Sequence, residues 1–182
     1  MNFRKLTLLA CAAATAATLA AQESAPVPAA EAKSTNKPER TRAMQIDELL
    51  AQAKVFYLAT VDGDQPRLRP LGAHHVADGK VWLAVGEFKN VYRQLAANPK
   101  CEVVALLPNG VKWLRWTGRA VFAEGEKREA LEEVFLTASP GLRRTYDKKP
   151  GHRMMCFTLE DARAELINLA PPGEVLFDDT GR

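Results

Sequence analysis

The sequence predicts a mainly β fold with flanking helices, an antiparallel barrel of six strands that carries helices at its rim. Three observations support this prediction. Segments such as residues 55–61 and 80–85 are rich in β-branched and aromatic residues, as strands are. The dipeptides Asp78-Gly79 and Asn109-Gly110 have the composition of tight hairpin turns. Helical segments of about ten residues separate some of these strands.

Six segments have strand character. They cover residues 55–61, 66–76, 80–85, 101–107, 111–124 and 154–169. The second contains Pro70, which donates no hydrogen bond to a ladder and therefore predicts an edge strand or a bulge. In the fifth, Gly118 predicts a bend or a close approach of another chain segment. The last segment holds one or two strands around Glu160-Asp161.

Three segments have helical character. Residues 44–54 and 126–139 carry apolar residues at i, i+3, i+4 and i+7, the spacing of one helix face. Residues 90–98 fit a shorter helix that ends before Pro99. Helices and strands therefore alternate along the predicted domain.

The beginning of the chain has the composition of a secretory signal peptide. Two basic residues precede an uncharged run, residues 6–21, which is short for a membrane-spanning helix. We therefore expect residues 1–21 to direct export to the periplasm or beyond and to be cleaved. An alternative is the lipobox-like motif LLAC at residues 8–11, which would make Cys11 the acylated first residue of a membrane-attached lipoprotein.

Charge and composition divide the rest of the chain. Residues 22–42 are rich in Ala, Pro, Ser and charge, which predicts a disordered tether. Residues 43–175 form the predicted domain and residues 176–182 a C-terminal tail. The excess of basic residues lies in the first 42 positions, and the remainder holds 19 basic and 19 acidic residues. This neutrality argues against a general nucleic-acid binder, which needs surplus positive charge.

A set of basic residues on predicted strand and loop positions is the most informative chemical feature. Arg67 and Arg69 alternate on one strand face, and Arg115 and Arg119 share a face of the long strand. Lys89 stands at a helix entrance, where free backbone N–H groups favour a phosphate. Together these residues would suit a phosphorylated planar ligand, whereas each alone is the kind of charge that surfaces carry.

Several familiar catalytic motifs are missing from the sequence. It has no GxSxG elbow, Walker loop, HExxH or CxxC motif. His74 and His75 are adjacent, so on a strand they point to opposite faces, and we expect no metal site there. Cys101 and Cys156 sit in apolar strand patterns, which favours buried thiols over a disulfide.

Three segments in order resemble one known family. They are residues 56–72 (FYLATVDGDQPRLRPLG), 78–99 (DGKVWLAVGEFKNVYRQLAANP) and 112–122 (KWLRWTGRAVF). This combination resembles the pyridoxamine 5′-phosphate oxidase-like family over residues 44–168. The resemblance implies a split β-barrel that binds FMN and works as a homodimer, with the FMN at the subunit interface.

The resemblance also implies which residues hold the cofactor. The stretch RLRPLG would lie along the flavin, Lys89 would bind the phosphate, and Gln94 would lie near the cofactor. Val85 stands where many relatives have a threonine or serine that gives a hydroxyl to the phosphate. Trp113 and Arg115 would face the flavin or the partner subunit. The implied cofactor-binding residues are therefore Arg67, Arg69, Pro70, Leu71, Val85, Lys89, Gln94, Trp113 and Arg115.

From the resemblance we expect an exported FMN-dependent oxidoreductase that acts on a small-molecule substrate or an electron carrier. No catalytic side chain is assigned, because no general acid or base stands out. We do not expect a true pyridoxamine-phosphate oxidase, because the C-terminal arginine and histidine segment of those enzymes is not evident. One alternative is a non-catalytic flavin- or haem-binding carrier or sensor, with His74 or His75 as the haem ligand, and another is a ligand-free structural dimer.

Overall fold

The computed structural model describes residues 41–146 and 149–181. The predicted signal peptide, the lipobox around Cys11 and residues 22–40 of the predicted tether lie outside the described residues. Within the described part of the chain, no helix is long and apolar enough to cross a membrane.

Helices separate groups of strands, as the sequence predicts. The helices are α1 (Arg42–Ala53), α2 (Asn90–Ala97) and α3 (Gly125–Ala138), followed by a 3₁₀ helix (Pro140–Arg144). The strands are β1 (Phe56–Asp62), β2 (Gln65–Leu71), β3 (His74–Ala77), β4 (Lys80–Gly86), β5 (Lys100–Leu106), β6 (Lys112–Phe122), β7 (Met154–Asn168) and β8 (Glu174–Asp178). The three predicted helices and the six predicted strand segments are all present.

One antiparallel sheet contains all the described strands. Its order is β2-β1-β5-β6-β7-β4-β3, and β8 pairs with β7. The sheet does not close on itself, and the arrangement is that of a mainly β split barrel with flanking helices, as predicted. Strand β7 is the longest and pairs with β6, β4 and β8, so it joins the two halves of the sheet.

The number of strands differs from the prediction, because the sheet has eight strands rather than six. The predicted segment 66–76 divides into β2 and β3, which lie at opposite ends of the strand order. Strand β8 was not predicted, and it spans the expected boundary between the domain and its C-terminal tail at residue 175. It forms because β7 is long enough to offer a free edge to the chain that follows.

Gly118 marks a close approach, one of the two predictions for this position. A β-bulge interrupts the pairing of β6 with β7 between Thr117 and Arg119, and Asp161 of β7 has a positive φ of 47°. A Cβ atom at Gly118 would lie only 2.9 Å from the carbonyl oxygen of Glu160. The bulge therefore requires a residue without a side chain on the facing strand.

The helices cover two apolar clusters. Helix α1 buries Ile46, Leu49 and Leu50 against the inner face of the barrel, and Thr41 caps its first turn by accepting a hydrogen bond from the Met44 N–H at 3.3 Å. Helix α3 covers the other face of β7 and β4, where Phe135 packs in a second cluster. This leaves α2 at the edge of the barrel beside β1 and β4.

Candidate functional site

A groove of about 460 Å³ lies between the edge strand β2, the end of β4 and the beginning of α2. Its volume is within the range of small-molecule sites, roughly 300–1,000 Å³. The lining residues are Asp62, Arg67, Leu68, Arg69, Pro70, Leu71, Ala84, Val85, Lys89, Asn90, Val91 and Gln94. Seven of the nine residues that the family resemblance implies are therefore brought together in one space.

Strand β2 supplies the basic wall of the groove. Among the described strands it pairs only with β1, so it is the edge strand that Pro70 predicted. Arg69 lies opposite Leu58 and Arg67 opposite Thr60, and both of these β1 residues are buried. Since paired residues share a sheet face, the two arginines are directed to the barrel side of the strand.

Lys89 lies at the other wall, as the N-cap residue of α2. Its side chain is exposed and forms no ion pair with any other described residue. The first N–H groups of a helix have no partner inside the helix and carry the positive end of its dipole. A lysine beside these donors makes this corner of the groove a favourable seat for an anion.

Glu87 does not oppose an anion at this seat, although it lies only two residues before Lys89. Its carboxylate accepts hydrogen bonds from Arg153 Nη2 at 2.6 Å and Nε at 3.0 Å, and from the Gly151 N–H at 3.0 Å. The hydrogen bonds from Arg153 are the main reason that the pKa of Glu87 is lowered to about 2. Glu87 is therefore ionised but compensated, and it does not line the groove.

Arg69 is held by a compact hydrogen-bond network. Its Nη1 donates to Thr60 Oγ1 at 2.6 Å, and its Nη2 donates to Gln94 Oε1 at 2.7 Å. Burial, together with the nearby positive charge of Arg67, lowers the pKa of Arg69. Arg67 and Arg69 are two positive charges on the same wall of the groove. An anion bound between these arginines and Lys89 would stabilise both charges.

Another cavity in the described chain is a weaker candidate for an anion-binding site. A second cavity, of about 370 Å³, lies between the start of α1 and strands β6, β7 and β8. Its basic residues already have acidic partners: Arg42 pairs with Asp179 at 2.6 Å, and Lys80 pairs with Glu160 at 2.7 Å. In the groove at Lys89, Arg67 is paired with Asp62 at 3.3 Å, but Lys89 and Arg69 have no acidic partner among the described residues, so the groove is the better site for an anionic ligand.

Trp113 and Arg115 lie outside the groove. They are on the outer face of β6, and the Arg115 guanidinium pairs with Glu102 of β5 at 3.4 Å. Trp113 lies opposite Leu106, a half-exposed residue of the same outer face. Within one subunit, these two residues therefore lie apart from the other seven candidate residues.

Two histidines and two cysteines of the described chain were further candidates for a metal or redox site. His74 Nδ1 contacts Asp47 Oδ1 at 2.8 Å, whereas the His75 ring packs against Phe135, so the two rings lie on opposite faces as expected. Cys101 and Cys156 are buried free thiols, and burial raises the pKa of each to about 12. Among the described residues, no cluster of three or more His, Cys, Asp or Glu is arranged to hold a metal ion.

Sequence reasoning missed Thr60, which is almost fully buried and hydrogen-bonded to both Arg69 and Gln94. It occupies a buried position of β1, in register with Phe56 and Leu58. The signal was a polar residue at an inward position of an otherwise apolar strand, because a buried hydroxyl needs partners.

Fold and groove together define a split-barrel protein with a groove at the edge of the barrel that is lined by three basic residues. The chain belongs to the pyridoxamine 5′-phosphate oxidase family, which it matches over residues 43–165. Among curated proteins, none is similar enough in sequence to match this chain.

Solved structures of similar fold agree with this assignment. A NimC/NimA family protein from Clostridium acetobutylicum is 30% identical, with a TM-score of 0.64 over 73% of this chain and 90% of that one. A heme-binding protein from Mycobacterium smegmatis is 17% identical, with a TM-score of 0.59, and the match covers 77% of this chain and 59% of that protein. A pyridoxamine 5′-phosphate oxidase-related, FMN-binding protein from Nostoc punctiforme is 14% identical, with a TM-score of 0.53 and coverage of 71% and 85%.

Proposed function

We propose that this protein binds FMN in the groove and acts as an oxidoreductase on a small molecule or an electron carrier. The observation that carries the proposal is the set of three cations, Arg67, Arg69 and Lys89, that line one groove. FMN carries a phosphate dianion, which forms strong charge-assisted hydrogen bonds with such groups. The side chains of Pro70 and Leu71 offer an apolar surface for a planar ring. Family membership and the FMN-binding neighbour from Nostoc punctiforme support the same ligand.

FMN and the residues that line the groove have separate roles in the proposed reaction. When bound, FMN supplies the transfer of hydride or electrons. Lys89 and the first N–H groups of α2 hold the phosphate, and the arginines of β2 add positive charge to the same wall. Asp62 is the one carboxylate in the lining, and it pairs with Arg67 at 3.3 Å. We therefore assign it to the positioning of Arg67 and not to proton transfer. The lining residues bind and orient the cofactor. Where the reaction needs a proton, the substrate or the solvent supplies it.

A comparison of FMN with riboflavin tests this proposal, because riboflavin lacks the phosphate. We expect fluorescence titration to show that Lys89→Met weakens FMN binding about tenfold to a hundredfold, the loss of one charge-assisted interaction of roughly 1.5–3 kcal/mol. Riboflavin binding should stay nearly unchanged. Lys127→Met on α3, which removes a lysine outside the groove, is the matched control. No FMN binding by the wild-type protein, or an equal loss for both ligands, would refute the proposal.

A homodimer is part of the proposal. The outer face of the sheet exposes a row of large apolar side chains in neighbouring strands, including Tyr57 of β1, Leu68 of β2 and Leu106 of β5. Exposed apolar surface of this kind marks an interface. Leu68 lies on this outer face and also lines the groove, so a second copy seated on this face would border the groove. It would bring Trp113 and Arg115 of one subunit towards the site of the other.

Export is a further part of the proposal, and it rests on the sequence of residues 1–21 alone. Mass spectrometry of the mature protein distinguishes the two routes. Cleavage near residue 21 gives an unmodified N-terminus, whereas a lipoprotein begins at an acylated Cys11. An intact N-terminus in the envelope fraction, or the absence of the protein from that fraction, would contradict export through a cleaved signal.

A carrier or sensor of flavin or haem is the second candidate. The heme-binding neighbour from Mycobacterium smegmatis shares the fold. In this chain, however, His74 contacts Asp47 and His75 packs on Phe135, and neither histidine lines the groove. Flavin in this groove therefore has the better support. Bound FMN that nicotinamide, deazaflavin and oxygen couples neither reduce nor reoxidise would favour the carrier over the enzyme.

A further inference from the structure

The guanidinium of Arg69 has a used edge and a free edge. Arginine has five N–H donors. Nη1 donates to Thr60 Oγ1 at 2.6 Å and approaches the Leu58 carbonyl oxygen at 3.4 Å, while Nη2 donates to Gln94 Oε1 at 2.7 Å. The two donors that remain are Nε–H and the second hydrogen of Nη2, which lie side by side on one edge of the planar group. This pair is the fork that binds two oxygens of a phosphate or carboxylate.

Thr60 fixes which edge stays free. Its hydroxyl accepts from Arg69 and donates to Gln94 Oε1 at 2.8 Å, and both directions are determined because a guanidinium only donates and an amide oxygen only accepts. Thr60 and Gln94 are both buried, so the two oxygens that receive the Nη1–H and Nη2–H donors have fixed positions. The partner at residue 60 must therefore be a group that both accepts and donates.

We propose that Thr60 is a positioning residue that turns Arg69 so that its free Nε–H and Nη2–H fork faces the groove and grips the ligand's phosphate together with Lys89. The inference rests on the proposed function, because it takes the phosphate of FMN as the bound anion. Arg69 contributes bidentate geometry and Lys89 contributes a point charge beside the helix amides. Thr60 does not line the groove, so it acts on the ligand only through the side chains that it contacts, Arg69 and Gln94.

Two variants at residue 60 separate this role from a role in packing. Valine has nearly the shape of threonine but neither accepts nor donates a hydrogen bond, whereas serine does both. We expect Thr60→Val to weaken FMN binding about tenfold and riboflavin binding less than about twofold, with Thr60→Ser close to wild type. Thr117→Val, which removes a hydroxyl from β6 outside the groove, is the matched control. Equal FMN affinity in Thr60→Val and wild type, or equal losses for FMN and riboflavin, would overturn the proposal.

A second measurement works without flavin. Phenylglyoxal modifies accessible arginines, and mass spectrometry follows its reaction at Arg69. We expect inorganic phosphate to protect Arg69 in the wild type and in Thr60→Ser, and to protect it much less in Thr60→Val. If the wild type binds no FMN but phosphate protects Arg69 in this pattern, the flavin function is wrong and the positioning role stands. If phosphate does not protect Arg69 in the wild type, or protects Thr60→Val equally, the positioning role is wrong.

Discussion

The charges of single residues decide which part of the barrel edge attracts an anion. Lys89 has no acidic partner among the described residues, whereas Glu87, close to it in sequence, is compensated by Arg153. Arg69 is both partly buried and close to Arg67, and these two effects lower its pKa. The neutral domain therefore concentrates positive potential at one groove without any excess of basic residues overall.

The Glu87–Arg153 pair predicts a defined dependence of stability on pH. The pKa of Glu87 is about 2 in the folded chain, against an ordinary value of 4.5. A lowered folded-state pKa means that Glu87 stabilises the fold above about pH 4.5 and that this contribution disappears as the pH falls towards 2. Chemical unfolding of Glu87→Gln should therefore give a lower free energy of unfolding than wild type at pH 7, and the difference should vanish near pH 2. In an Arg153→Met background the same substitution should have little effect at any pH, and a difference that persists at pH 2 would contradict the assignment.

At the scale of elements, the carboxylate of a buried ion pair within α3 attaches this helix to β7. Glu132 Oε1 accepts the Met154 N–H at 2.9 Å and its Oε2 accepts from Arg128 Nη1 at 2.8 Å, and Glu132 is only 2% exposed. Arg128→Met should destabilise the fold by about 3–5 kcal/mol in urea unfolding, because it leaves an uncompensated buried charge. The double variant with Glu132→Gln should recover a large part of this loss, since a neutral amide oxygen still accepts from Met154. If the double variant is as unstable as the sum of the single ones, the pair is not coupled.

Elements with a strong local pattern were predictable, and those that depend on distant partners were not. The apolar spacing of Ile46, Leu49 and Leu50 predicted α1, and the hairpin signal at Asp78-Gly79 predicted the turn between β3 and β4. Nothing in the local sequence indicates that β4 pairs with β7, about 70 residues further on, or that β8 adds to the free edge of β7. The division of residues 66–76 into β2 and β3 is likewise a consequence of the sheet order.

In the site, too, residues with a local signal were predictable and residues that depend on distant contacts were not. Arg67, Arg69 and Lys89 were predicted as site residues because their charge is visible in the sequence and the family resemblance implies their position, and all three line one groove. The role of Thr60 depends on contacts with β2 and α2 that no strand pattern reveals. Trp113 and Arg115 lie on the outer face of β6, so their predicted part in the site depends on the arrangement of two subunits.

At the scale of the whole molecule, the outer face of the sheet predicts the assembly. Leu106 is 52% exposed on this face, at the end of β5, the strand that lies between β1 and β6 in the sheet. Leu106→Lys places a charge there, and a buried unpaired charge is expensive. We expect sedimentation analysis to show that the dimer dissociation constant rises about a hundredfold, roughly 2.7 kcal/mol.

Loss of the dimer should also weaken FMN binding. If the second subunit completes the groove, the monomeric Leu106→Lys protein should bind FMN more weakly than wild type, although Leu106 does not line the groove. Val134→Lys, at an exposed position of α3, which packs on β7 and β4 rather than on β1, β2 or β5, is the matched control and should leave both assembly and FMN binding unchanged. A monomeric wild-type protein that binds FMN tightly would show that one chain is a complete site, and would leave Trp113 and Arg115 without a role in it.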